Sequence, residues 1–142
     1  MAGVVRVWDL RRQKEVVIPD GLEKIGNYWF LGSGVESVTV PGSVGEIGTE
    51  AFCNCKNLGR VVFAEDSVLE RVEARCFSGS GIKELTLPNT LKRIGNDSFR
   101  GCSSLKALHV EDRCEAVLFW AGIPDSVQVA PLSATLVGGV SI

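Results

Sequence analysis

Apolar residues return along this chain in a fixed order. Short alternating runs carry two anchors each: Val16 and Ile18, Val38 and Val40, Val61 and Phe63, Leu85 and Leu87, Leu108 and Val110. Between second anchors the steps are 22, 23, 24 and 23 residues (40 − 18, 63 − 40, 87 − 63, 110 − 87). In the four later copies another apolar residue stands three positions before the first anchor: Val35, Leu58, Ile82 and Leu105. Period-two alternation of Val, Ile and Leu predicts strands. A proline follows in three copies (Pro19, Pro41, Pro88), removing a backbone donor and restricting the residue before it, so the strand stops. The next residue (Asp20, Gly42, Asn89) is a turn former each time.

Between the strands a nonapeptide recurs: LEKIGNYWF (22–30), VGEIGTEAF (44–52), LERVEARCF (69–77) and LKRIGNDSF (91–99). Its apolar positions have the spacing of one helix face. Glycine in mid-pattern costs a helix about 1 kcal/mol relative to alanine, however. The expectation is therefore a short extended segment, a bend at Gly26, Gly48 or Gly95, and one helical turn ending near Phe. The glycine is expected to supply a backbone angle that a side chain resists, although Glu73 in the same slot argues against a required positive φ. Small-residue turns follow each Phe: LGSG, CNCKN, SGSG and RGCSS.

A unit this short cannot close a core alone, and its inward side chains are covered only when the next unit stacks on it. The predicted fold is a repeat solenoid: a right-handed coil with a parallel β-sheet on one face and short strands or helical turns on the other. Phe30, Phe52, Phe77 and Phe99 should form one buried row, each contributing about 1.5–3 kcal/mol. Residues 1–12 are expected to add a cap strand through Val5 and Val7. Residues 13–112 form the array, about four full units plus a final strand, and 113–142 an irregular C-terminal cap or linker in which Val127 and Val129 mark an irregular strand. LVGGVSI (136–142) echoes AGVVRV (2–7) at an offset of 135 residues (138 − 3), as expected if the chain is one unit of a longer tandem array.

Two stretches, VESVTVPGSVGEIGTEAFCNC (35–55) and IKELTLPNTLKRIGNDSFRGC (82–102), resemble the unit of the BspA-like leucine-rich repeats nearly position for position. The resemblance covers roughly residues 13–112. The unit at 58–81 departs from it: Ala64 replaces proline, two extra residues enter around EDSV, and Glu73 replaces glycine. The resemblance implies a surface or interaction protein and attaches no catalytic residue, since the fold carries no shared active site.

Composition removes other classes. Apolar residues make up 45% and charged residues 23%, an ordinary globular balance, and 17 acidic residues against 15 basic give a net charge of −2. No basic footprint for nucleic acid exists, and no apolar run approaches the ~20 residues of a membrane span. MAGVVRVWDLRR places its charges after the apolar stretch, the wrong order for a secretory leader. With an odd count of five cysteines this favours a reducing, cytoplasmic setting; a fragment of a longer surface protein would carry its signal upstream. Cys53 and Cys55 lack zinc-knuckle spacing. Cys55 and Cys102 share one phase two units apart, too far for a disulfide, so buried structural thiols are expected, with Cys53 exposed. GSG at 32–34 and 79–81 are turns rather than phosphate loops, and Asn96-Asp97-Ser98 is a formal glycosylation acceptor squeezed between inward residues. No enzyme, metal or cofactor site is expected.

What remains is the strip of outward strand residues: Ser37 and Thr39, Arg60 and Val62, Glu84 and Thr86, Ala107 and His109, with Glu15 and Val17 on the first unit. Its mixture of β-branched residues, opposed charges and one imidazole fits a protein or peptide better than phosphate or bases. Two functions are carried forward. One is a non-catalytic repeat module for protein–protein interaction; the other is an architectural spacer that contacts only adjacent units of its own array.

Overall fold

The alternating runs become parallel strands in the computed structural model of the chain, which describes residues 7–110, 118 and 120–131. They are β1 (Glu15–Val17), β3 (Ser37–Val40), β5 (Arg60–Phe63), β7 (Glu84–Thr86), β9 (Ala107–Val110) and β10 (Gln128–Pro131). The front registers put anchor on anchor: Val16, Val38 and Val61 align, as do Leu85, Leu108 and Val129. On the back, two-residue strands stack in one ladder: β2 (Lys24–Ile25), β4 (Glu46–Ile47), β6 (Arg71–Val72) and β8 (Arg93–Ile94). The chain is a parallel β-solenoid of about five turns.

Among the described residues the third face contains no α-helix. The segments after each back strand are successions of i→i+3 turns, such as Trp29 to Gly26, Leu31 to Tyr28 and Ser33 to Phe30. The cause is a left-handed residue two places after the glycine slot: Tyr28, Glu50, Arg75 and Asp97 have φ of 53–64°. A residue in that conformation interrupts a right-handed helix. Alternate amides are thereby aimed at the next coil. Phe30 N–H donates to Ala51 O at 2.8 Å, Phe52 to Cys76 O at 2.9 Å, Phe77 to Ser98 O at 3.0 Å and Phe99 to Ala121 O at 2.8 Å.

The glycines of the nonapeptide also differ from expectation. None of Gly26, Gly48 and Gly95 has a positive φ. At Gly48 and Gly95 the coils nearly touch: a Cβ on Gly95 would lie 2.3 Å from Ala74 N, and one on Gly48 would lie 2.6 Å from Asn27 N, whereas one on Gly26 would meet the Trp29 ring of its own coil at 2.1 Å.

Inside, the four phenylalanines are fully buried and stacked, with ring centroids 5.0, 5.6 and 5.8 Å apart and planes within 11° of parallel. Ile25, Ile47 and Val72 are likewise completely buried behind them.

Both ends depart from the predicted boundaries. Val7–Arg11 is a short helix, α1, rather than part of a strand. Val7 and Leu10 share one of its faces, Leu10 is buried over the first coil, and Arg11 Nη2 donates to Leu31 O at 2.7 Å. At the other end the solenoid continues beyond 112. β10 pairs with β9 in full register and Ala121 accepts from Phe99, so 120–131 belong to a further coil rather than an irregular cap. Val5, Cys114 and the echo at 136–142 lie outside the described residues.

Candidate functional site: a cleft that splits the front sheet

The front strands form two three-stranded sheets, β1-β3-β5 and β7-β9-β10, with no ladder joining β5 to β7. Coil perimeter explains the split. Arg71 follows Arg60 by 11 positions (71 − 60), whereas β2 follows β1, β4 follows β3 and β8 follows β7 by 9 (24 − 15, 46 − 37, 93 − 84). The surplus is the turn at Ala64–Ser67, where Ser67 N–H donates to Ala64 O at 3.0 Å and Asp66 lies against Gly42. The back ladder and the turn face keep their registers, so the mismatch is taken up in front. Phe63, expected as an inward anchor, is therefore only half-buried, while Val40 and Leu87 in its phase are buried.

The resulting open cleft has a volume of about 690 Å³ and runs along the strand axis. The predicted strip divides around it. Ser37 and Thr39 on β3 lie beside Arg60 and Val62 on β5; Glu84 and Thr86 on β7 lie beside Ala107 and His109 on β9. Five of the eight (Arg60, Val62, Glu84, Thr86, His109) line the cleft; Ser37, Thr39 and Ala107 do not. The imidazole Nε2 of His109 is 3.5 Å from Glu84 Oε1 across the β7–β9 pair, an ion pair only when the imidazole is protonated. Phe63, Glu65, Lys83 and Asn89 also line it, and the strip reading missed them. The signal that could have found them was the two-residue surplus together with Ala64 in the proline position.

The remaining candidate chemistry is structural. Cys53, Cys55, Cys76 and Cys102 are all free and buried, Cys53 included against expectation. Ser33, Cys55, Ser80 and Cys102 share one phase of the stack. Cys55 Sγ donates to Phe30 O at 2.9 Å and Cys102 Sγ to Phe77 O at 3.0 Å. Burial pushes all four thiols above the ordinary range, Cys76 furthest, which keeps them protonated and poorly nucleophilic. Ser98 of the formal acceptor triplet is buried, with its hydroxyl donating to Gly95 O at 2.8 Å. Among the described residues no group of His, Cys, Asp and Glu is placed to hold a metal ion, and no helix is long and apolar enough to cross a membrane.

With the stacked coils in view, the comparisons with known proteins agree. A family model of the BspA type leucine rich repeat region matches residues 9–106 in six copies, and the chain belongs to that family. A leucine-rich repeat protein from Bacteroides capillosus is similar at 28% identity and a TM-score of 0.61, over 70% of this chain and 78% of that one. The pneumococcal vaccine antigen PcpA is similar at 27% identity and 0.61, over 70% of this chain. A leucine rich cell surface protein from Faecalibacterium prausnitzii shares the fold at 23% identity and 0.66, over 84%. This chain spans only 31% and 32% of the latter two. No curated protein sequence matches it. The family and its structural neighbours are typically non-catalytic repeat proteins.

Proposed function

We propose that the chain is a non-catalytic interaction module whose front face, centred on the split between β5 and β7, binds a protein or peptide ligand. The observation that carries this reading is the cleft itself, which gathers five of the eight outward residues singled out from the sequence. A flat strip of polar and β-branched side chains is what any solvated sheet face needs. A concave site with charged groups around apolar ones has the form that ligand sites take. Nothing in its lining is basic enough for a nucleic acid backbone, because Glu65 and Glu84 oppose Arg60 and Lys83.

The test is the triple variant Arg60→Ala, Glu84→Ala, His109→Ala, used beside the parent chain to capture partners from the source organism. Loss of a specific partner with an unchanged melting temperature supports the module. Equal capture of the same partners by both chains overturns it in favour of the architectural spacer. That second reading is favoured by the longer relatives, of which this chain spans about a third.

A further inference from the structure

We infer that the cleft between β5 and β7 holds a short extended peptide that carries an acidic residue at one end, apolar residues in the middle and a basic residue at the other. This rests on the front-face reading above and names the ligand class for it.

The argument begins with the backbone. In a parallel ladder both polar groups of one residue point to the same neighbour, and alternate residues point to opposite sides. Ala64 N–H donates to Val40 O, so Arg60, Val62 and Ala64 face β3, leaving Val61 and Phe63 turned toward the cleft. Leu87 N–H donates to His109 O and Lys83 O accepts from Lys106, so Glu84 and Thr86 are turned toward it from the other side. With no ladder between β5 and β7, two rows of backbone donors and acceptors lie open at the cleft floor. Such groups are satisfied by water or by the polar groups of a ligand. The strands are too close to admit a third one between them: some of their Cα atoms lie within 8 Å, against about 9.6 Å for two strand spacings. The peptide therefore lies over the groove, along the strand axis.

The side chains set its polarity. Where the strands begin, the cleft is lined by Arg60 and Lys83; where they end, by Glu65. None of these three makes an ion pair among the described residues, whereas Glu84 is turned to His109. Val62 and the half-buried Phe63 provide the apolar middle. The strand from Arg60 to Phe63 covers about 10 Å at ~3.3 Å per residue, and Glu65 stands in the turn just beyond it, so the matching ligand places its opposite charges about four residues apart.

The experiment uses fluorescence polarisation with three labelled, end-blocked pentapeptides: Glu-Val-Thr-Val-Lys, Glu-Val-Thr-Val-Glu and Lys-Val-Thr-Val-Lys. The parent chain should bind the mixed peptide at least about tenfold more tightly than either uniform one, since a like charge opposite a like charge is strongly disfavoured. Glu65→Lys should shift the preference to the doubly acidic peptide. Arg60→Glu with Lys83→Glu should shift it to the doubly basic one. These are surface substitutions, and unchanged melting temperatures confirm that the fold is intact. Equal binding of all three peptides, or variants that keep the parental preference, overturns the inference. If no pentapeptide binds while the triple alanine variant still loses its partner, the peptide class is wrong and the front-face reading stands. If the peptides sort as stated while the triple variant captures the same partners as the parent, the partner reading fails alone.

Discussion

A single methyl group on Gly95 would press against the backbone of the preceding coil, with Ala74 N 2.3 Å and Glu73 C 2.6 Å away. Neither neighbour is the tip of a flexible side chain, so the coils themselves must part. Gly95→Ala is expected to destabilise the chain by about 1–3 kcal/mol, the usual cost of overpacking; urea unfolding of the two proteins measures it. Equal midpoints would show that the coils are not pressed together here. The sequence marked these glycines as special for the wrong reason, because a small residue forced by close approach and one forced by backbone angle look alike in one dimension. Left-handed geometry falls instead on Tyr28, Glu50, Arg75 and Asp97, four residue types with no shared preference for it. It accompanies the ladder of Phe30, Phe52 and Phe77 amides to the next coil, which exists only once coils stack. After each Phe the left-handed slot holds Gly32, Asn54, Gly79 and Gly101, and there residue type and backbone agree.

At the scale of one strand or one turn, burial was legible and charge placement was not. Ile25, Ile47, Val72 and Ile94 could be read as one inward column because only their hydrophobicity matters. The outward column beside them makes pairs that depend on which coil lies next to which. Glu46 on β4 receives Lys24 from β2 at 2.9 Å and Arg71 from β6, one carboxylate between two cations. Arg93, next in register to Arg71, turns instead to Glu73 at 3.8 Å. The hydrogen bond from Lys24, reinforced by the charges of both cations, holds the Glu46 carboxyl below the ordinary glutamate range. A carboxyl whose pKa is lowered by folding stabilises the fold above its unfolded value, and the contribution is lost as pH falls through the folded one. These are surface pairs, so Glu46→Gln should cost only about 0.5–1 kcal/mol near neutral pH. The difference from the parent should shrink as the solution is taken below the ordinary glutamate range and vanish only once the folded carboxyl is itself protonated. Urea midpoints of the two proteins across that range read it directly; a gap that persists in acid would mean the pairs contribute nothing electrostatic.

For the whole molecule, the decisive feature is unequal perimeter. Coils of identical length would be held to one another in register on all three faces. The third coil is two residues too long between β5 and β6, a fact visible as the 24-residue step in the anchor spacing. Its consequence was not visible, because a surplus can be absorbed as a surface bulge or as a separation of strands. Which occurs depends on how firmly the other two faces are held. Here the back ladder runs unbroken through β4, β6 and β8, and Phe77 stays stacked on Phe99 across the same boundary, so the front face yields. Removing Glu65 and Asp66 restores the nine-residue spacing and should let β5 and β7 join into one six-stranded sheet. Amide hydrogen exchange distinguishes the two states residue by residue. In the parent chain the amides of Val61, Phe63, Glu84 and Thr86 face the cleft and should exchange faster than those of Val62 and Leu85, which are held by β3 and β9. In the shortened chain the four should become as protected as their neighbours, since exchange follows the opening of backbone hydrogen bonds. The cleft would be lost with them, and the shortened chain should then bind none of the charged pentapeptides. Rapid exchange of the four amides after the deletion would show that something other than perimeter keeps the sheet divided.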